Sequence, residues 1–147
     1  MIETLKTLFI RDLNRLKLEI ESYQTETKIW YIEKSISNSA GNLCLHLIGN
    51  LNTYIGAQIG KTSYIRNREM EFSNKDIPKE TLIAQIEATI QIVNDALSLL
   101  TEEDLKKEYP ILVFEGKTST EFILVHLTTH LAYHLGQINY HRRLLDN

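Results

Sequence analysis

The sequence predicts an all-α protein, a four-helix bundle with long connections, and three observations favour this class. Apolar residues recur at intervals of three and four over long segments, and this spacing forms one stripe along a helix. Polar, proline-containing or glycine-containing segments separate the four stripes. At 147 residues the chain can bury a real core without disulfides, so we expect a single domain over residues 1–147. Four long amphipathic helices in one small domain indicate a bundle.

The first half of the chain is expected to form two long helices. Helix one runs from about residue 2 to 23, and its apolar stripe comprises Leu5, Leu8, Phe9, Leu13, Leu16, Ile20 and Tyr23. The connector after helix one is expected to pack on the bundle, because residues 30–32 within it are apolar. Serines and an asparagine at 35–39 offer side chains for an N-cap, and helix two then runs from about Ser39 to Gly60. Its predicted core face comprises Leu43, Leu47, Leu51, Tyr54 and Ile55.

The second half is expected to form two more long helices after a polar, turn-rich segment at residues 61–77. Helix three begins near Pro78, a position that proline tolerates, and runs to about residue 100. The run Thr101–Asp104 is expected to cap one extra turn. The run Thr118–Glu121 fits a capping box, so it predicts the start of helix four, which ends near Leu145.

Composition and charge exclude several kinds of partner and location. The net charge is −3 and no basic stripe is visible, so a nucleic-acid partner is disfavoured. No apolar stretch approaches the ~18 residues of a membrane span, and the N-terminus lacks the features of a signal peptide. The one cysteine, Cys44, cannot form an internal disulfide, which fits a reducing compartment. We therefore expect a soluble, cytoplasmic protein with no membrane partner.

Histidines are concentrated on the last predicted helix. His126, His130 and His134 follow one another at intervals of four in the run HLTTHLAYHLGQ, and residues four apart share a helix face. On a helical wheel this strip borders the apolar face, so it can point into the bundle or into a cleft at its edge. His46 stands on helix two in the same strip as Asn50. If helices two and four are neighbours, His46 could face the other histidines.

Three imidazoles around one point would suit a transition metal, for which neutral histidine is the commonest protein ligand. Three protein ligands leave a coordination position open for water or substrate, as in catalytic zinc sites. The run lacks the glutamate that follows the first histidine of a zinc-protease helix, so a metalloprotease is disfavoured. The alternative is that the histidines are hydrogen-bonded core residues of a dimerising bundle.

Three motifs resemble the DinB-like superfamily, and most closely a branch of uncharacterised bacterial proteins. They are NSAGNLCLHLIGNLNTYIG, YIRNREMEF and HLTTHLAYHLGQINYHRRLL, which fit NLxxHLxGNL, RxRExEF and HxxYHxGQI. The resemblance spans nearly the whole chain. It implies a four-helix bundle that binds a divalent ion (nickel, zinc, iron or manganese) through His46, His130 and His134. It also implies a homodimer, because dimers are common in the superfamily.

The resemblance extends to activity, because characterised members include metal-dependent thiol transferases that use bacillithiol or mycothiol. It therefore implies a metal-dependent enzyme that activates a thiol or water for attack on a small electrophilic substrate. Many members have no known activity, so the alternative is a non-catalytic metal-binding module for stress response or protein interaction. A low-molecular-weight thiol is the small-molecule partner that the resemblance suggests.

Several residues near the predicted site keep more than one interpretation. His126 is an alternative ligand, a donor to a ligand or a packing residue. Asn50, Tyr54 and Gln137 either line the pocket and support the ligands, or make ordinary contacts between helices. His141 is expected at the surface near the end of helix four.

The charged motif YIRNREMEF also has two interpretations. Arg66, Arg68 and Glu69 form either a salt-bridged loop or a contact to an anionic substrate. Glu69 and Glu71 are the nearest candidates for a general base, and no catalytic residue is assigned. Cys44 lies on the side of its helix opposite to His46, so it is predicted to face the core rather than a metal.

Overall fold

The computed structural model describes residues 1–147 and is all-helical, as predicted, with six α-helices and no strand. The helices are α1 (Ile2–Glu21), α2 (Ala40–Leu51), α3 (Arg68–Ser73), α4 (Lys79–Ser98), α5 (Glu102–Lys106) and α6 (Thr120–Leu145). A 3₁₀ helix at Glu26–Trp30 precedes α2, and a π-helical segment at Asn52–Ala57 continues it. No helix combines the length and the apolar character that crossing a bilayer requires.

The four long helices pack around one continuous hydrophobic core. Helix α1 packs against α4 and α6, and α2 packs against the same two helices. The predicted stripe of α1 accounts for its position, because its apolar residues at three- and four-residue spacing are buried: Leu5, Phe9, Leu13, Leu16 and Ile20. Every residue of α2 is buried, since α3, α4, α6 and the 3₁₀ helix surround it. A side chain on α2 is therefore screened from solvent whichever way it points.

Side-chain caps define the start of several helices. Ser39 accepts a hydrogen bond from the Asn42 amide at the start of α2, within the predicted capping segment. Thr101 and Asp104 form a reciprocal capping box at α5. The capping box predicted for Thr118 is wrong, because Ser119 is the residue that caps α6. Thr118 lies before the helix, and its carbonyl accepts a hydrogen bond from the Tyr109 amide.

The segment at 61–77 contains a short helix, α3, which was not predicted. Asn67 caps it by accepting a hydrogen bond from the Met70 amide. The side-chain amide of Asn42 donates to the backbone carbonyls of Glu71 and Asn74, at 2.9 and 2.8 Å, and so ties the end of α3 to α2. A helix of only six residues has no repeating apolar stripe, so periodicity does not reveal it.

The predicted helix two is not uniform, because its regular α-helix ends at Leu51 and a π-helical segment follows. Polar side chains accompany the change. The Thr53 hydroxyl donates to the Gly49 carbonyl at 2.7 Å, and the Asn52 amide donates to the Ile48 carbonyl at 2.9 Å. Side chains that hydrogen-bond back to the preceding turn bend helices, and π-helical segments are frequent at functional sites.

Candidate metal centre

Three histidines from two helices meet at one point. His46 comes from α2, whereas His130 and His134 come from α6, and one ring nitrogen of each lies within 4.8 Å of the others. The Nε2 atoms of His46 and His130 are 3.2 Å apart. With Zn–N bonds of ~2.0–2.1 Å, two ligand atoms of a tetrahedral ion lie about 3.3 Å apart. The cluster could therefore hold a metal ion.

The three rings meet edge to face rather than stacking. The planes of His130 and His134 are 88° apart, with centroids 4.6 Å from each other. His46 is inclined at 78° to His130 and at 88° to His134. This arrangement brings the nitrogen-bearing edges of the rings together. It depends on the packing of α2 against α6, a contact that the sequence reasoning assumed and the structure contains.

A buried carboxylate holds the His46 ring. Oε1 of Glu71 lies 3.1 Å from Nδ1 of His46, and because an ionised carboxylate only accepts, Nδ1 is the protonated nitrogen. The lone pair of Nε2 then faces the other histidines. Arg66 donates to both oxygens of Glu71, at 2.8 and 2.9 Å. Carboxylates that orient a histidine in this way are a common part of metal centres.

Gly49 is what allows Glu71 to approach α2. A Cβ atom added at Gly49 would overlap Oε2 and the carboxyl carbon of Glu71. Gly49 lies one turn from His46 on α2, so the absence of a side chain opens the space that the carboxylate fills. The glycine of the NLxxHLxGNL motif therefore has a steric explanation.

The two histidines of α6 have weaker support. Nδ1 of His134 lies 2.7 Å from the amide oxygen of Gln137, a side chain at the protein surface. Because that oxygen accepts, Nε2 of His134 is free to bind a metal. Nδ1 of His130 is buried and has no hydrogen-bond partner. Gln137 thus contacts one of the predicted ligands.

Burial and mutual proximity favour the neutral form of His46 and His130. Burial, together with the neighbouring His134 and His46, lowers the pKa of His130 to about 4. Burial also lowers the pKa of His46, although the contact with Glu71 opposes this shift. A neutral imidazole is the form that binds a metal, so these rings are ready to act as ligands at neutral pH.

Two cavities flank the histidine cluster. The polar cavity has a volume of about 230 Å³ and is lined by His46, Asn50, Tyr54, Arg66, Arg68, Val113, His126 and His130. The apolar cavity has a volume of about 480 Å³, and its lining includes Ile36, Leu43, Tyr133, His134, Gln137 and Tyr140. Small molecules therefore have room next to the cluster on both sides.

The remaining predicted residues have distinct places. His126 is half-buried, stacks on His130 with the two planes 23° apart, and meets the ring of Phe114 edge to face at 4.9 Å. Cys44 is fully buried in the core, as predicted, and burial raises the pKa of its thiol to about 12. Asn50 and Tyr54 line the polar cavity.

The prediction that His141 lies at the surface is wrong. The ring is buried, with its Nδ1 2.6 Å from the Tyr23 hydroxyl and its Nε2 2.8 Å from the Tyr31 carbonyl. The connector after α1 folds over the last turns of α6 and covers this ring. Periodicity places His141 on the same strip as the other histidines, but it does not show what a distant loop covers.

The charged motif forms an ion pair, but with a different partner from the one expected. Arg66 pairs with Glu71, whereas Glu69 is exposed and lines neither cavity. Sequence reasoning missed the contact between Glu71 and His46. Its only signal was the presence of a carboxylate near a predicted site, because no spacing rule relates residues 25 positions apart.

These features define an all-helical protein with a three-histidine site suited to a metal ion. The chain belongs to the family described as Protein of unknown function (DUF1572), whose family model matches residues 5–147. A comparison with curated proteins gave no significant match.

Proposed function

We propose that this protein is a DinB-like four-helix-bundle protein that binds a divalent metal ion and uses it as an enzyme. The reaction is the activation of a thiol or water for attack on a small electrophilic substrate. The observation that carries the proposal is the convergence of three imidazoles, His46, His130 and His134, beside cavities that admit small molecules.

The fold supports the DinB-like part of the proposal. The four long helices, α1, α2, α4 and α6, each pack against two of the others, which is the arrangement of a bundle. The three motifs that resemble the superfamily lie on α2, on the segment around α3 and on α6. These are the elements that surround the histidine cluster.

The residues present fit a divalent ion. Three histidine ligands leave a coordination position open, and both cavities include a histidine of the cluster in their walls. A bound divalent ion would lower the pKa of a thiol or water ligand toward neutrality. Glu71 holds His46 in the orientation for binding. Both oxygens of Glu71 are occupied by Arg66 and His46, so its role is to position a ligand rather than to act as a base.

The proposal includes a cytoplasmic homodimer that acts on a small molecule, with a low-molecular-weight thiol as one reactant. The surface that supports a dimer is α6, which exposes several large apolar side chains: Phe122, Val125, Tyr133, Tyr140 and Leu144. Exposed apolar patches of this kind mark interaction surfaces in many soluble proteins. Light scattering after size-exclusion chromatography measures the mass directly, and a mass of 17.1 kDa would contradict the dimer.

Elemental analysis of untagged protein is the first test, because a histidine tag and a nickel column would introduce metal. We expect about one divalent ion per chain. The 3.2 Å contact between His46 and His130 also suits a hydrogen bond between two imidazoles, which is the purely structural alternative. Metal-free protein, obtained without chelators and unable to take up added zinc or nickel, would favour that alternative.

A turnover screen is the second test. Metal-loaded protein is mixed with low-molecular-weight thiols and electrophiles, with and without a chelator. Turnover that the chelator abolishes and the metal restores supports the enzyme. Stoichiometric metal without turnover across the screen would favour a non-catalytic metal-binding module.

A further inference from the structure

The polar cavity beside the histidine cluster contains two groups that metal binding leaves unused. They are the guanidinium of Arg68 and the side-chain amide of Asn50, which both line the cavity. Neither belongs to the three-histidine cluster. Their chemistry indicates what kind of molecule the cavity accepts.

Arg68 supplies a positive charge that no acidic group of the protein neutralises. Its side chain forms no ion pair or hydrogen bond, and its guanidinium lies over the ring of Phe72, 6.0 Å from the centroid. Arg66, in contrast, is paired with Glu71. No aspartate or glutamate lines the cavity. The cavity therefore has an excess of positive charge, which favours an anion.

Asn50 supplies a largely buried side-chain amide that forms no hydrogen bond within the protein. The residue is 7% exposed, and its Oδ1 atom is buried and has no hydrogen-bond partner. Buried polar groups are almost always hydrogen-bonded, because an unpaired one costs free energy. Asn50 lies one turn after His46 on α2, so it faces the same cavity. The Oδ1 atom is closed off from water-sized groups, so the cavity reaches this amide through Nδ2, which also forms no hydrogen bond and from which a hydroxyl oxygen would accept one.

We propose that the polar cavity is a subsite for a small hydroxycarboxylate, or for the hydroxycarboxylate part of a larger reactant. The carboxylate binds the guanidinium of Arg68, and the hydroxyl oxygen accepts a hydrogen bond from Nδ2 of Asn50. A hydroxyl suits the site better than an ammonium group, because the cavity is already positive. The volume of about 230 Å³ limits the group to a small one. This subsite rests on the proposed function in one respect only, namely that a metal ion is bound beside the hydroxycarboxylate.

The test compares three probes of nearly equal size in NMR titrations of the full chain. Lactate has both groups, propionate lacks the hydroxyl, and lactamide lacks the charge. We expect lactate to bind at least tenfold more tightly than either analogue. The titrations are done on metal-loaded protein and on chelator-stripped protein, because lactate can also coordinate a metal directly.

Two variants assign the probe groups to residues. Arg68→Gln is expected to remove the preference for lactate over lactamide, and Asn50→Leu to remove the preference for lactate over propionate. Arg143→Gln is the matched control, since Arg143 is also exposed and its guanidinium lies over an aromatic ring, that of Tyr140, at 5.3 Å. The control variant should bind lactate like the unmodified protein.

Equal affinity for the three probes would overturn the subsite. Lactate binding that neither variant changes would also overturn the subsite. If that binding occurs only when metal is present, it would indicate that lactate coordinates the metal directly. The metal content of the same samples is measured separately. Discrimination among the probes in protein that binds no metal would overturn the proposed function and leave the subsite standing.

Discussion

The two sides of the histidine cluster differ in how the protein supports them. His46 lies on a helix whose residues are all buried, and its ring is held by a carboxylate that is itself held by an arginine. His130 and His134 lie on α6, which is buried along one side and exposed along the other. Their outer nitrogens have either no partner or the surface amide of Gln137.

The difference shows which side of the site is constrained before a metal binds. The chain of contacts from Arg66 through Glu71 to His46 fixes both the proton position and the ring orientation. The α6 rings lack comparable contacts, so their orientation depends more on the ion and on each other. Changes to the supporting groups should therefore affect the His46 side more than the α6 side.

The largest effect is expected from removing a ligand. His130→Ala should lose the divalent ion, because two histidines do not close a stable site. His126→Ala is the control, since His126 stacks on His130 but lies outside the three-residue cluster. The metal content of both variants is measured on untagged protein. Full occupancy in His130→Ala would contradict the assignment of this ligand.

The next largest effect is expected from the support of His46. Glu71→Gln should weaken metal affinity by about 10- to 100-fold, the usual cost of losing a group that orients a ligand. Gln137→Ala should weaken the affinity less, because its contact with His134 is at the surface. Competition with a chromophoric chelator measures both dissociation constants, and thermal melts without metal check folding. Equal losses in the two variants would remove the proposed difference between the two sides.

A smaller change in affinity is expected at Gly49. Gly49→Ala leaves every ligand in place but displaces the Glu71 carboxylate, so it should weaken metal binding and lower the free energy of unfolding. Gly136→Ala is the matched control, because a Cβ atom there meets nothing within 4 Å. Alanine in a helix interior is better than glycine by up to about 1 kcal/mol, so the control should gain stability. Unchanged affinity in Gly49→Ala would show that the position of Glu71 does not matter.

The smallest effect is expected on stability, and it concerns His141, which lies outside the cluster. Burial lowers its pKa, although the Tyr31 carbonyl and Asp146 oppose the shift. As the pH falls through ~6.5, His141 is protonated in the unfolded chain before it is protonated in the folded chain. The free energy of unfolding of the metal-free protein should therefore decrease below that pH. Urea unfolding at pH 7.5 and 5.5 measures the loss. His141→Gln should be less stable at pH 7.5 but lose less on acidification, and an equal loss in both proteins would refute this role.

The helices were predictable because their stripes are long and regular. The buried positions of α1 follow directly from its spacing, and Ser39 was in the predicted capping segment. The three-residue cluster required one more assumption, that α2 and α6 are neighbours. The α3 helix and the cover over His141 were missed, since each depends on contacts between distant segments. The π-helical segment was missed because apolar spacing does not show the hydrogen bonds of Asn52 and Thr53 to the preceding turn. The role of Glu71 was missed because a helix of six residues carries no periodic signal and the contact with His46 joins distant segments.

The cluster joins parts of the chain that are far apart in sequence. His46 and His130 are separated by 84 residues, and their nitrogens are in contact. An ion bound to both would close that stretch into a loop, as a covalent cross-link does, and would restrict the unfolded chain if it stayed bound there. If it binds only the folded chain, it raises the free energy of unfolding by about 2.7 kcal/mol at a hundred times its dissociation constant. The concentration of available metal would then set how firmly α2 and α6 are held together.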